Sequence, residues 1–386
     1  MATRLADAAL LARLVGFDST SHRSNLPIAD FVCNYLEHQG FSIIRNFNED
    51  RTKVNVLACI GGDPMQKSVS AGLMLCGHLD VVPATEPDWR SDPFTLTETD
   101  SAYVGRGACD MKGFVALAVN AACRAAERSP KNPLALLFTF DEEPGTLGAQ
   151  HFVRTRNAPF DLPRSCIVGE PTGLHVVRMH KGHLKMRITI HGQSAHSGYP
   201  HLGVNAIEPA ARVVSALSVL RRELEWERFE TSDHFPQTPF VALNVGAISG
   251  GSAVNMVPDR CVVEFGMRLL PGMEPGPLIE RIRSAIEAVA DIGRHSIEVT
   301  GLSPSLLLNE NAEVYRGLCE IVDQRETFAV SYASDAGPLQ ELGLECALFG
   351  PGSIEVAHKA NESMPKAEFV RAGAILDRVV QMFCSG

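Results

Sequence analysis

Leu73-Met74-Leu75-Cys76-Gly77-His78-Leu79-Asp80 is an apolar run that closes on a small residue, then sets a histidine and an aspartate two apart. Residues i and i+2 of an extended chain share a face. His78 and Asp80 can therefore act together at the mouth of a strand. A metal-bound imidazole commonly gives its second nitrogen to a carboxylate, which fixes its tautomer. The run is short and bounded, which suits a buried strand. His-x-Asp alone is a weak signal. It gains weight from Gly107-Ala108-Cys109-Asp110-Met111-Lys112-Gly113, Asp141-Glu142-Glu143, Gly169-Glu170-Pro171-Thr172 and Ala357-His358-Lys359. Each sets an acid or imidazole beside an apolar run or a glycine-rich turn.

Working outward, strands are expected over 42–45, 54–60, 72–77, 133–140, 165–168 and 346–349. Helices are expected over 5–16, 27–40, 111–127, 146–154, 310–325, within 335–342, and over 366–384. Strands alternating with helices predict an α/β fold around a central, mostly parallel sheet. The stretch 83–106, with Pro83, Pro87, Pro93, Trp89 and Phe94, reads as a long ordered loop. Near residue 181 the pattern changes. An alternating strand over 184–190, long strands over 240–248 and 260–270, and helices over 205–229 and 275–293 predict a smaller α/β domain. The expected division is a discontinuous catalytic domain, 1–180 and 296–386, with 181–295 inserted at a surface loop.

The bulk numbers agree. A single core rarely exceeds roughly 250–300 residues, so 386 residues predict two domains. A hydrophobic content of 45%, with 21% charged residues, is that of an ordinary soluble protein. A net charge of -10 and the lack of a basic patch argue against nucleic acid or an anionic membrane as partner. No apolar run reaches the length of a membrane span. The ten cysteines contain no CxxC pair and fall mostly in apolar runs. Reduced, buried cysteines and an amino terminus without a signal-like apolar segment predict a cytoplasmic protein.

As chemistry, His78, Asp110, Glu143, Glu170 and His358 are five donors at strand ends. The carboxyl ends of strands are where open α/β sheets bind ligands. Two imidazoles with three carboxylates suit two Zn²⁺ or similar ions. Two ions about 3.5–4 Å apart need a shared ligand, and Asp110, on a tight turn between Gly107 and Gly113, is the expected bridge. Residue types alone leave the pairing of the other donors open. Asp141-Glu142-Glu143 offers one carboxylate more than ligation needs, so Glu142 is the expected base toward an activated water and Glu143 the ligand. Taken singly, His78 or His358 reads equally well as a satisfied structural histidine. Asp-Glu-Glu alone reads better as a charge cluster at a helix start. Cys76 and Cys109 read as core packing rather than nucleophiles.

Together these motifs resemble, across nearly the whole chain, the dinuclear-zinc family of acetylornithine deacetylases, succinyl-diaminopimelate desuccinylases, aminoacylases and glutamate carboxypeptidases. The resemblance implies that Asp80 supports His78, that a cis peptide follows Asp110, that His78 and Glu170 serve one ion, and that Glu143 and His358 serve the other. It implies two Zn²⁺ per subunit, with Co²⁺ able to substitute. It further implies a lid domain that pairs subunits into a homodimer. His196, in Gly192-Gln193-Ser194-Ala195-His196-Ser197-Gly198-Tyr199-Pro200, would hold the oxyanion from the partner subunit or from its own. Asn255 and Arg268 would hold the substrate carboxylate.

Segments such as 89–97, His180-Lys181-Gly182-His183 and Gly350-Pro351-Gly352-Ser353-Ile354 resemble the acetylornithine-deacetylase branch. That branch implies cleavage of N2-acetyl-L-ornithine to L-ornithine and acetate, as in arginine biosynthesis. Two departures stand out: Asp335 where that branch carries glutamate, and Phe140 with Pro144-Gly145 around the acid motif. Glu362 reads as a partner for a substrate amine or as a surface acid. The rival expectations are a deacylase of acetylcitrulline or succinyl-diaminopimelate, a dipeptidase or carboxypeptidase, and an inactive binding homologue.

Overall fold

The computed structural model describes residues 4–61, 71–156, 162–289 and 292–385. The chain forms two compact units: Met1–Arg178 with Leu308–Phe328 and Ser334–Gly386, and Met179–Leu307 with Ala329–Ala333.

The first unit is organised by a sheet whose order, from one margin inward, is Ser42–Phe47, Val54–Ile60, Leu134–Thr139, Leu73–His78, Ser165–Val168 and Glu345–Leu348. The last four are mutually parallel, and the first two join antiparallel. Leu73–His78 and Leu134–Thr139 are buried along their whole length. This is why their sequences read as apolar runs without alternation. The helix Gly113–Ala126 is buried from Gly113 to Cys123 and packs against Asp7–Val15 and Lys366–Cys384. Alanine at six of its positions gives helix propensity and close approach together. All ten cysteines are free.

Four strands missing from the sequence reading shape the rest. Thr97–Glu98 and Ala102–Val104 form a small sheet with Ser363–Pro365, so the 83–106 stretch is only partly loop. Arg294–Ser303 pairs along Gly182–His191 and completes the second unit's four-stranded antiparallel sheet with Ala242–Gly250 and Arg260–Leu269. The sequence division at 295 cuts through that strand. Its mostly exposed or half-exposed, polar-rich sequence at a sheet margin carries no clean alternation to mark it. Helices Ile207–Trp226 and Pro275–Glu287 pack on each other, and with the sheet they enclose this unit's core.

Candidate metal centre

His78 is the last residue of its strand, with 1% of its surface exposed. Its Nδ1 lies 2.9 Å from the main-chain carbonyl of Asp80 and 3.7 Å from Asp80 Oδ1. A carbonyl only accepts, so Nδ1 carries the proton and Nε2 presents its lone pair. Nε2 faces Asp110 Oδ1 at 3.0 Å. Asp80 thus orients the imidazole through its backbone, while its carboxylate takes another part. Oδ1 accepts the Glu142 N–H at 3.0 Å, and Oδ2 accepts the Glu143 N–H at 3.3 Å and the Ser21 hydroxyl at 2.7 Å. That carboxylate holds the acid turn in place.

Asp110 sits in an irregular turn, Ala108–Lys112, ahead of the buried helix. Gly107 enters the turn at φ +79°, and a Cβ there would come within 2.6 Å of Val81. The Asp110–Met111 peptide is cis, as the family resemblance implies. The two Asp110 oxygens point to different imidazoles. Oδ1 meets His78, and Oδ2 lies 3.4 Å from His358 Nε2. His358 Nε2 is also 2.9 Å from Glu143 Oε2. Two donor sets result, His78–Asp110–Glu170 and Asp110–Glu143–His358, each with ligand atoms within 4.8 Å of one another. Asp110 belongs to both.

The electrostatics ask for cations. Burial and then the Asp110 charge push the Glu170 carboxyl well up, and its Oε1 is buried with no hydrogen-bond partner among the described residues. Glu142 keeps some exposed surface as a residue, yet its carboxyl is enclosed. Burial, with the Glu170 charge, raises that carboxyl well above the usual range. Burial and the Asp110 charge hold Glu143 at about 7. Hydrogen bonds to Asp110 and Glu143 raise His358 to about 10. Burial would raise Asp110, but the His358 and His78 imidazoles facing its two oxygens outweigh it and leave this carboxyl below its usual value. Facing lone pairs, crowded carboxylates and an orphaned carboxylate oxygen fit divalent cations among these side chains.

Several neighbours have partners that the sequence did not show. Lys53 forms an ion pair with Asp141 and also donates to the Ser21 carbonyl, anchoring the acid turn from behind. Asp335 is buried; Oδ2 accepts the Thr139 hydroxyl at 2.5 Å, Oδ1 has no partner, and burial raises its carboxyl to about 6. Glu362, read above as a substrate partner or a surface acid, is neither. It is 1% exposed and accepts from Arg106 and from the N–H groups of Gly107, Cys109 and Asp110. Its partners lie more than 250 residues away, so no local pattern could reveal it.

Three expected residues lie in the second unit. His196 and Asn255 are exposed and adjacent: Ala195–His196 pairs with Met256–Val257, and the Ser197 N–H donates to the Asn255 carbonyl at 2.9 Å. Arg268 lies near the end of Arg260–Leu269, in register with His183 on one side and Ala242 on the other.

Residues 74–382 match the model of peptidase family M20/M25/M40. An acetylornithine deacetylase of Myxococcus xanthus is 39% identical over 98% of this chain and 97% of its own. One from Proteus mirabilis is 34% identical over 95% of this chain and 92% of its own. Among solved structures, an M20 family metallo-carboxypeptidase of Sulfolobus solfataricus superposes with a TM-score of 0.80 at 16% identity, covering 98% of this chain and 99% of that one. The family match, the relatives and the two donor sets meeting at Asp110 make this chain a member of peptidase family M20/M25/M40, a metal-dependent amidohydrolase related to the acetylornithine deacetylases.

Proposed function

We propose that the chain hydrolyses the amide of N2-acetyl-L-ornithine to L-ornithine and acetate. The observation that carries this reading is the 39% identity, over nearly the full length of both chains, to a relative bearing that activity in its name. The likeness to the carboxypeptidase is one of fold, at 16% identity.

In this reading His78 and Glu170 would hold one Zn²⁺, Glu143 and His358 would hold the other, and Asp110 would serve both. When bound, the ions supply Lewis acidity, making water a better nucleophile and polarising the amide carbonyl. Glu142 takes the proton from the attacking water and returns it to the leaving nitrogen, a task suited to a carboxyl of raised proton affinity. Asp80 keeps Glu142 and Glu143 aimed by holding their backbone. His196 donates to the oxyanion, and Asn255 and Arg268 hold the α-carboxylate; a planar guanidinium fits that fork.

Exposed apolar side chains concentrate on the paired loops of the second unit, among them Tyr199, Leu202, Val204, Val254 and Met256, with Ile248 on the margin strand Ala242–Gly250. This supports a homodimer through that face. Sedimentation at single-chain mass would remove the dimer. No helix among the described residues is long and apolar enough to cross a membrane. The free cysteines support a reducing, cytoplasmic setting, which cell fractionation checks.

The function is tested by a kinetic panel on stripped chain reloaded with Zn²⁺ or Co²⁺. N2-acetyl-L-ornithine should exceed acetylcitrulline, succinyl-diaminopimelate and dipeptides in kcat/KM by about tenfold or more, the range that matched polar contacts produce. A dipeptide as preferred substrate would replace this reading with a peptidase, and inactivity on the whole panel would favour a binding role.

A further inference from the structure

Arg106 and Glu362 form a pair with each side chain about 1% exposed, outside both donor sets. Arg106 Nη1 donates to Glu362 Oε2 at 3.0 Å and to the Lys359 carbonyl at 3.3 Å. Nη2 donates to Glu86 Oε1 at 2.7 Å and to the Pro83 carbonyl at 3.1 Å. Glu362 also accepts the N–H groups of Gly107 at 3.0 Å, Cys109 at 2.8 Å and Asp110 at 3.0 Å. One buried carboxylate therefore grips the backbone that presents Asp110, and the guanidinium on it grips the residue after His358.

The His358 turn needs such a grip. His358 and Asn361 both sit at φ 60°, where side-chain-bearing residues are uncommon. The His358 side chain is 50% exposed. Its neighbours do the holding. The Asn361 side chain accepts the Arg90 N–H and donates to the Asp88 carbonyl, both at 2.9 Å. The Gly105 N–H donates to the Glu362 carbonyl at 3.0 Å. By contrast His78 ends a fully buried strand, and Glu170 follows the buried strand Ser165–Val168. Sheet pairing holds those two ligands without help from the Arg106–Glu362 pair.

We propose that Arg106 and Glu362 are positioning residues that register the His358 turn against the Asp110 loop, and so set the affinity of the Asp110–Glu143–His358 site more than that of the His78–Asp110–Glu170 site. This rests on the two-ion reading above. Outer-shell partners of ligands typically contribute about 10–100-fold to metal affinity. A pair that merely stabilised the fold would weaken both sites alike.

The test is calorimetric titration of stripped chain with Zn²⁺, comparing wild type with Glu362→Gln and Asn361→Ala. Glu362→Gln keeps the size but removes the charge, and sets amide hydrogens either against the Cys109 and Asp110 N–H groups or against the Gly107 N–H and Arg106 Nη1. Asn361→Ala removes two hydrogen bonds from the same turn without touching the core, and so serves if Glu362→Gln does not fold. The expected result is two binding events in wild type, with one weakened about 10–100-fold in Glu362→Gln and the other moved by less than about threefold. Asn361→Ala should give a smaller shift of the same kind, and excess Zn²⁺ should restore kcat in both variants. Equal weakening of both events, or no change in either variant while wild type takes up two ions, would overturn this inference alone. A wild-type chain that takes up fewer than two ions would overturn the two-ion reading and this inference with it.

Discussion

Glu142 and Glu143 are chain neighbours whose surroundings give them different work. The Glu143 oxygen meets His358 at 2.9 Å, inside a donor set. Glu142 stands outside both sets, with its carboxyl raised by burial and the Glu170 charge. In the proposed mechanism Glu142→Gln therefore lowers kcat by about 10²–10⁴ or more, while Zn²⁺ content stays near two per chain. Metal analysis alongside kcat checks this, and loss of one ion would make Glu142 a ligand instead. At this scale the sequence was informative wherever a residue acts near its own motif. His78, Asp110, Glu143, Glu170 and His358 each stand beside a turn or strand end, and the structure brings all five together. It was silent wherever a residue acts through distant partners. Glu362 grips the Asp110 backbone from 252 positions away, and Thr139 meets Asp335 across 196. The hold of the Asp80 carboxylate on the acid turn was silent for the same reason, since Glu142 and Glu143 lie some sixty residues further on.

At the scale of elements, the site is a property of strand ends. Three parallel strands finish at His78, Thr139 and Val168; His78, Glu143 and Glu170 lie on or just past those ends, and Asp110 and His358 come from turns. Val54–Ile60, Ser165–Val168 and Lys366–Cys384 match the ranges read from sequence, because burial pattern and punctuating residues agree there. Arg294–Ser303 and Val177–His180 escaped, being margin or short strands without a distinctive period. The closeness of packing under the site could not be read from sequence at all. A Cβ on Gly169 would fall 1.9 Å from the Phe114 ring, between the strand that leads to Glu170 and the buried helix after Asp110. Gly169→Ala should therefore cost about 1–3 kcal/mol, the usual scale of core overpacking. Because the displaced segment carries Glu170, metal uptake should fall as well. Chemical denaturation with a metal assay reads both, and an unchanged midpoint with full metal content would mean that the ring moves aside freely.

At the scale of the molecule, an acidic chain of net charge -10 gathers Asp110, Glu142, Glu143 and Glu170 around one centre. Apart from cations, only retained protons offset that crowding, and the raised carboxyls of Glu142, Glu143 and Glu170 reflect this. The two-unit organisation was legible because the hydrophobic pattern changes from buried runs to alternating strands near residue 181. Its far boundary was not, since a margin strand gives no such change. In the proposed centre a single carboxylate, Asp110, would serve both ions. Equilibrium dialysis of stripped wild type and Asp110→Ala against Zn²⁺ tests it most directly. Wild type should take up about two ions per chain, and the folded variant should lose both at the same free Zn²⁺. Wild type that binds none, or a variant that still holds two, would contradict it.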